Sequence, residues 1–180
     1  TLWYSAVLIP ALLVLGTFVY LLVAHTLARE LDERLYTTAQ EVERSIRVVS
    51  SFPFPWENLV LPDVNVFSAP DTFLQAVDLS RRVIVSKSRN LGQQALPVHA
   101  STLEKAASGQ RFYETLTVDG VAIRLYNVPL LLDGQLVGLL QVGSPLSNVK
   151  QSLQNLRWAL IFGGLLMVTL TGAVGWWMAN

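Results

Sequence analysis

Arg124 is the residue of this chain best suited to holding a small ligand, and Tyr113, Thr115, Tyr126 and Gln141 are the side chains that would build a pocket around it. A guanidinium grips a carboxylate or phosphate through two parallel hydrogen bonds. Two tyrosine rings would wall such a site, and Thr115 and Gln141 would complete its hydrogen bonding. The plainer alternative is that the five form a solvated or loop-covered sheet face. No other group in the sequence has catalytic or metal-binding spacing. His25 and His99 stand alone, without Glu-x-x-His or His-x-x-x-His. There is no G-x-S-x-G, no G-x-x-x-x-G-K and no glycine-rich phosphate loop. The chain has no cysteine, which excludes disulfides, thiolate metal ligation and a cysteine nucleophile. No catalytic residue, metal or cofactor is expected within these residues. Arg81, Arg82, Lys87 and Arg89 form a basic run without an acid, read either as a solvated hairpin or as a contact for anionic lipid or ligand.

The five candidate residues share a face only if three strands pair as their turns direct. Residues 111–118, 121–132 and 135–143 are strand-like runs separated by Asp119-Gly120 and Asp133-Gly134, and Asp-Gly between such runs marks a tight hairpin. Two-residue turns place Val118 opposite Val121, Leu116 opposite Ile123, Thr115 opposite Arg124 and Tyr113 opposite Tyr126. The second turn places Leu131 opposite Leu136, Leu125 opposite Val142 and Tyr126 opposite Gln141. One face then carries Leu116, Ile123, Leu125, Leu136, Leu140 and Val142, and the other Tyr113, Thr115, Arg124, Tyr126, Gln141 and Gly143. A slip of one residue would exchange the faces. The apolar face needs a cover, and the helix described next is the expected one.

Residues 26–50 lack Gly and Pro, and Leu27, Leu31, Leu35, Ala39, Val42, Ile46 and Val49 recur every three or four positions, a helical stripe. Glu30–Arg34 and Glu43–Arg47 are i,i+4 pairs in the favourable order. Prolines end this helix before the loop at 52–63. Residues 72–79 and 83–88 read as a hairpin, 88–100 as a loop, and 101–108 as a short helix with Ser101 and Glu104 as a capping box and Gly109 as its C-cap.

The chain is formally neutral, with 13 basic and 13 acidic residues, which argues against a nucleic-acid partner. Every charge lies between Arg29 and Arg157. The uncharged runs 2–24 and 158–179 would reach roughly 33–35 Å as helices, enough to cross a hydrocarbon core of about 30 Å. Trp3, Tyr4 and Tyr20 flank the first run, and Trp158, Trp176 and Trp177 the second, where such rings sit at headgroup level. A cleaved signal peptide is the weaker reading of the first run, since no A-x-A site follows it. The chain begins at Thr1 and stops one residue past the second run, so a fragment of a longer protein is expected. The expected divisions are a membrane helix at 2–24, its continuation at 25–50, a mixed domain at 51–143, an exit helix at 144–157 and a second membrane helix at 158–179.

Ser144-Pro145 fits an N-cap followed by proline at the first helical position. From there Val149, Leu153, Leu156, Leu160, Gly163, Met167, Leu170 and Val174 alternate steps of four and three. The stripe passes Arg157 without a break, so a single stiff helix is expected to carry motion of the last strand across the bilayer surface. Ala159 and Gly163 have the small-xxx-small spacing that lets membrane helices approach closely.

A membrane span, then "LARELDERLYTTAQEV", a mixed domain ending "RLYNVPLLLDGQLVGLLQVGSPLSNVKQSLQNL", then a second span resembles the sensor half of bacterial transmembrane sensor histidine kinases. The middle segment is similar to a PAS-like, single Cache-type sensor domain. The resemblance covers nearly the whole chain through loose motifs, and chemoreceptor and diguanylate cyclase input modules share the plan. It implies an α+β fold in which two transmembrane helices flank a PAS-like domain with a central antiparallel sheet and a long N-terminal helix. It also implies a bacterial inner-membrane location with residues 25–157 extracytoplasmic, and a homodimer joined through the 27–49 stripe and the membrane helices. An unknown small ligand or envelope signal would act on the sheet face away from the N-terminal helix. ATP, Mg²⁺ and a response regulator are implied only for a kinase domain lying beyond these residues. A non-switching, membrane-anchored scaffold is the reading from a different class.

Overall fold

The computed structural model describes residues 2–49, 61, 71–132 and 135–179, so most of the expected 52–63 loop and the Asp133-Gly134 turn lie outside the described residues. The elements run α1 (Leu2–Val49), β1 (Phe73–Asp78), β2 (Val83–Lys87), α2 (Ala100–Ala107), β3 (Phe112–Val118), β4 (Val121–Leu132), β5 (Gln135–Pro145) and α3 (Ser147–Ala179). The chain divides into two units, one made of Thr1–Arg29 with Asn148–Asn180 and the other of Glu30–Ser147.

The second unit is α+β, built on a five-stranded antiparallel sheet in the order β2-β1-β5-β4-β3. The three-period stripe of α1 finds its partner here. Leu35, Ala39, Val42 and Ile46 pack with Leu74, Ala76, Tyr126, Val128, Leu130, Leu140 and Val142 as one buried cluster. Full burial of each Leu, Ile or Val among them contributes about 1.5–3 kcal/mol. The opposite face is covered too. Leu91 and Leu96 close over Ile123 and Leu125, and Ala106 of α2 packs with Val77 and Leu139.

Local chemistry sets the turns. Asp119 and Gly120 both have positive φ, 49° and 81°, as a two-residue hairpin turn of primed type requires, and Val118 pairs with Val121 as expected. Between β1 and β2 the Asp78 carboxylate accepts hydrogen bonds from the Ser80 hydroxyl at 2.6 Å and the backbone N–H groups of Ser80 and Arg81 at 2.8 and 3.1 Å. These bonds, that from the Ser80 hydroxyl first, hold the Asp78 carboxyl below its ordinary range. At the end of α2, Gly109 takes φ +76° and its N–H reaches the Ala106 carbonyl, while Gln110 N–H reaches that of Lys105, the double bond pattern of a Schellman cap. The expected capping box does not form. The helix starts at Ala100, so Ser101 lies inside it, and its N-cap is His99, without a side-chain cap.

Two further expectations are corrected. The sheet register shifts between Leu130 and Leu131, so Leu125 faces Gly143, Tyr126 faces Val142 and Asn127 faces Gln141. This bulge moves every β5 residue from Gly138 onward by one place, and with it Gln141 and Gly143 to the face of Ile123 and Leu125. The helix α1 therefore covers the face bearing Tyr113 and Tyr126, not the one bearing Leu116 and Ile123. The second correction concerns Pro145. It does not open the exit helix: it ends β5, opposite Ile123, and Leu146 N–H bonds the Ala122 carbonyl at 2.8 Å. Only Leu146 separates β5 from α3.

In the first unit, α1 and α3 are both long and apolar enough to cross a membrane, and the apolar window of each is unburied. Pro10 lies within α1. Hydroxyls of Thr17, Thr26 and Thr171 donate to carbonyls four residues back, and that of Thr169 to one three back, which satisfies them without water.

Candidate functional site

Each strand of the β3–β4 hairpin delivers alternate residues to the α1 side, and register puts Tyr113 beside Tyr126 and Thr115 beside Arg124. Four of the five expected site residues therefore come together. Their partner is not an empty cleft but α1. Arg124 donates from Nε to Asp32 Oδ1 at 2.8 Å and from an Nη to Oδ2 at 2.9 Å. Its other Nη donates to the Thr115 hydroxyl at 3.1 Å. The carboxylate that sequence reasoning sought in a ligand is supplied by the chain itself. Both side chains are about 30% exposed, Arg124 at 28% and Asp32 at 31%, so the pair is only partly desolvated. The bond to Asp32 raises the Arg124 pKa above its ordinary value.

The tyrosines pack around this fork. Tyr113 and Tyr126 stack with ring centroids 4.4 Å apart, Tyr36 of α1 lies 5.9 Å from Tyr126, and the Arg124 guanidinium sits 5.2 Å from the Tyr113 ring centroid. The Tyr113 hydroxyl donates to the Asp32 backbone carbonyl at 3.0 Å. Burial pushes the Tyr113 hydroxyl up to about 12 and also raises that of Tyr126. Arg111 adds a second tie, to Glu43 at 3.2 Å. Glu30 does pair with Arg34; the side chain of Arg47 lies outside the described residues.

Gln141 is separated from this group by the sheet itself. It belongs to a polar ladder on the opposite face that sequence reasoning missed. Gln75 Nε2 donates to Gln141 Oε1 at 3.1 Å, Gln141 Nε2 to Asn127 Oδ1 at 3.0 Å, and Asn127 Nδ2 to Glu114 Oε1 at 2.7 Å. The Thr102 hydroxyl of α2 meets the Glu114 carboxylate at 3.1 Å. Gln75 also exchanges two bonds of 2.9 Å with the backbone of Leu96. Gln75, Asn127 and Gln141 have no exposed surface. Each amide oxygen and nitrogen named here has a partner, as burial demands. The ladder joins β1, β5, β4, β3 and α2 through hydrogen bonds alone.

Compared with protein-family models and with curated proteins, the chain matches none. The site must be read from its own chemistry.

The expected transmission residues fall on α3. Val149, Leu153, Leu156 and Leu160 are half-buried, and Gly163 is exposed, as is Ala159. Beyond Leu160 the half-buried positions are Gly164, Val168 and Gly175. A straight helix drifts about 20° per heptad from a 3.5-residue repeat, and α3 follows its own 3.6-residue period rather than the sequence stripe. On α1, the residues Leu35, Ala39, Val42 and Ile46 of the expected dimer stripe are spent on the sheet of their own chain.

Proposed function

We propose that the chain is the sensing and transmitting module of a bacterial transmembrane sensor histidine kinase with a PAS-like extracytoplasmic domain, working as a homodimer in the inner membrane. Its residues carry no reaction; the kinase they control, with its ATP, Mg²⁺ and response regulator, lies beyond them. The order hairpin, helix, three-stranded meander between two membrane-length helices supports this reading.

One observation carries it. The Asp32–Arg124 fork ties the central sheet to α1, a helix that continues unbroken from a membrane-length apolar segment. The same sheet leads through Leu146 into α3, the other such helix. A signal that moves β4 or β5 thus has a hydrogen-bonded route to the first membrane helix and a covalent route to the second. The polar ladder is the part of the sheet where a signal would act, on the face away from α1. Its amide and carboxylate groups can exchange partners with a ligand or with water at little net cost, whereas apolar contacts cannot.

The test uses the full-length protein in membranes, with single cysteines replacing Leu153, Leu156 or Leu160 and disulfide yield between two copies as the readout. Arg124→Ala is expected to change the relative yields at the three positions and to alter kinase autophosphorylation. The same pattern and the same activity with and without the fork would refute transmission through it.

A further inference from the structure

The first unit holds a groove of about 440 Å³ lined by Tyr20 of α1 and by Lys150, Leu153, Gln154, Arg157, Trp158 and Ile161 of α3. The α3 residues are spaced as one helical face. We infer that this groove binds one anionic phospholipid, an inference that rests on the membrane reading above.

The lining sorts by chemistry along the helix. Ile161 and Trp158 belong to the uncharged run, and Arg157, Gln154 and Lys150 to the polar turns before it. Trp158 and Tyr20 are residues of the headgroup level, and each is the last aromatic before its helix turns polar. A phosphate at that depth meets Arg157. Gln154 offers an amide to a polar headgroup, and Lys150, about one further turn away, extends a flexible ammonium toward the same space. Trp158 stacks on Phe162 with centroids 5.7 Å apart, and with Ile161 this gives an acyl chain an apolar wall.

Charge selects the lipid. Two cations and no acid line the groove, and neither Lys150 nor Arg157 has an ion-pair partner among the described residues. In the sheet unit, by contrast, Arg124 holds the carboxylate of Asp32 and Arg111 that of Glu43. A cation left unpaired beside the bilayer is compensated by the phosphate and net negative charge of an anionic headgroup. A zwitterionic lipid offers the same phosphate with a choline or ethanolamine cation that Lys150 repels.

The full chain is reconstituted in vesicles of phosphatidylcholine with one fifth phosphatidylglycerol, and alkaline carbonate extraction first establishes whether it is membrane-embedded. Native mass spectrometry of the protein released in mild detergent then reads which lipid remains bound. Retention of one phosphatidylglycerol in preference to phosphatidylcholine is expected, falling at least fivefold in Lys150→Ala/Arg157→Ala and recovering in Lys150→Arg/Arg157→Lys. Equal retention of the two lipids, or no loss in the alanine variant, overturns the site while leaving the membrane reading standing. Complete carbonate extraction overturns the membrane reading, and the lipid site with it. A groove filled by a second copy instead would show as a dimer that retains neither lipid and whose Gln154→Cys disulfide yield is the same with and without phosphatidylglycerol, and would overturn the inference as well.

Discussion

Arg124 holds both carboxylate oxygens of Asp32, a residue 92 positions earlier in the chain. A bidentate pair with a third bond to Thr115 is among the surface geometries that contribute measurably to stability, where most exposed ion pairs do not. Arg124→Ala and Asp32→Ala are each expected to cost about 1–2 kcal/mol, and the double variant clearly less than their sum. Arg124→Lys keeps the charge without the fork and should recover less than half of the loss. Urea unfolding of the chain in detergent micelles, followed by circular dichroism, measures all four variants. Half-molar salt should shrink the coupling. Additive single losses would show that the contact contributes nothing to holding α1.

The polar ladder makes a different demand, because its members are fully buried. Gln141→Leu keeps most of the volume but strips Asn127 of its donor and Gln75 of one acceptor. The orphaned groups should cost about 1–3 kcal/mol. Gln141→Ala adds a cavity and should cost about 3–5 kcal/mol in the same unfolding measurement. Equal stability of Gln141→Leu and wild type would mean that water replaces the lost partners, and that the ladder is already accessible to a small polar ligand.

Local signals in the sequence were legible where one physical rule acted alone. The 3.6-residue stripe from Leu31 to Ile46 found its core, because a helix with one apolar face has one way to bury it. Asp119-Gly120 made its turn because two successive positive φ angles suit few other residues. The face assignment failed at one point, Leu130/Leu131. The run Pro129-Leu130-Leu131-Leu132 is apolar at every position, so no alternation pins its register there, and a bulge can enter unannounced.

The same bulge explains the divided candidate site. Tyr113, Thr115, Arg124 and Tyr126 are related through the β3–β4 turn, which lies on the safe side of Leu130, and they stayed together. Gln141 was assigned across the bulge and changed faces. Asp32 carried no local sign of its role, since nothing in a helix sequence says which distant arginine will meet it. Gln75, Glu114 and Asn127 were equally silent: amide ladders across four strands become visible only once the strand order is known.

Two groups should make stability depend on pH at opposite ends of the scale. The Asp78 carboxyl is held below its ordinary value of 3.8, so the folded chain releases that proton more readily than the unfolded one. Its contribution is complete above the unfolded value and is lost as pH falls through the folded one. Tyr113 runs the other way. Its hydroxyl is pushed from 10.0 to about 12, so the folded chain keeps a proton that the unfolded chain gives up, and stability declines as pH rises between those values. Asp78→Asn retains a carbonyl oxygen for the turn and should lessen the acid limb alone, while Tyr113→Phe should lessen only the alkaline limb, part of which the raised Tyr126 hydroxyl keeps. Melting temperatures followed from about pH 5 down to about pH 2, and from about pH 9 up to about pH 12, provide the check.

Gly143 tests the register directly. A Cβ built there would lie 2.5 Å from Leu125 Cδ2 and 3.3 Å from Ile123 Cγ2. Leu125 has no exposed surface and packs with Leu91 and Leu96, so its methyl cannot swing clear without displacing neighbours. Gly143→Ala is therefore expected to cost about 1–3 kcal/mol through overpacking, and Leu125→Ala alone about 2–5 kcal/mol through the cavity it leaves. Combined, the new methyl would enter part of that cavity, and the double variant should lose at least about 1 kcal/mol less than the sum of the two. If the strands instead paired without the bulge, Leu125 would stand opposite Val142 and the side chains at 125 and 143 would project from opposite faces. Their effects would then simply add. A double-mutant cycle on these two residues thus distinguishes the two registers, and with them whether Gln141 lies on the buried ladder or beside Arg124.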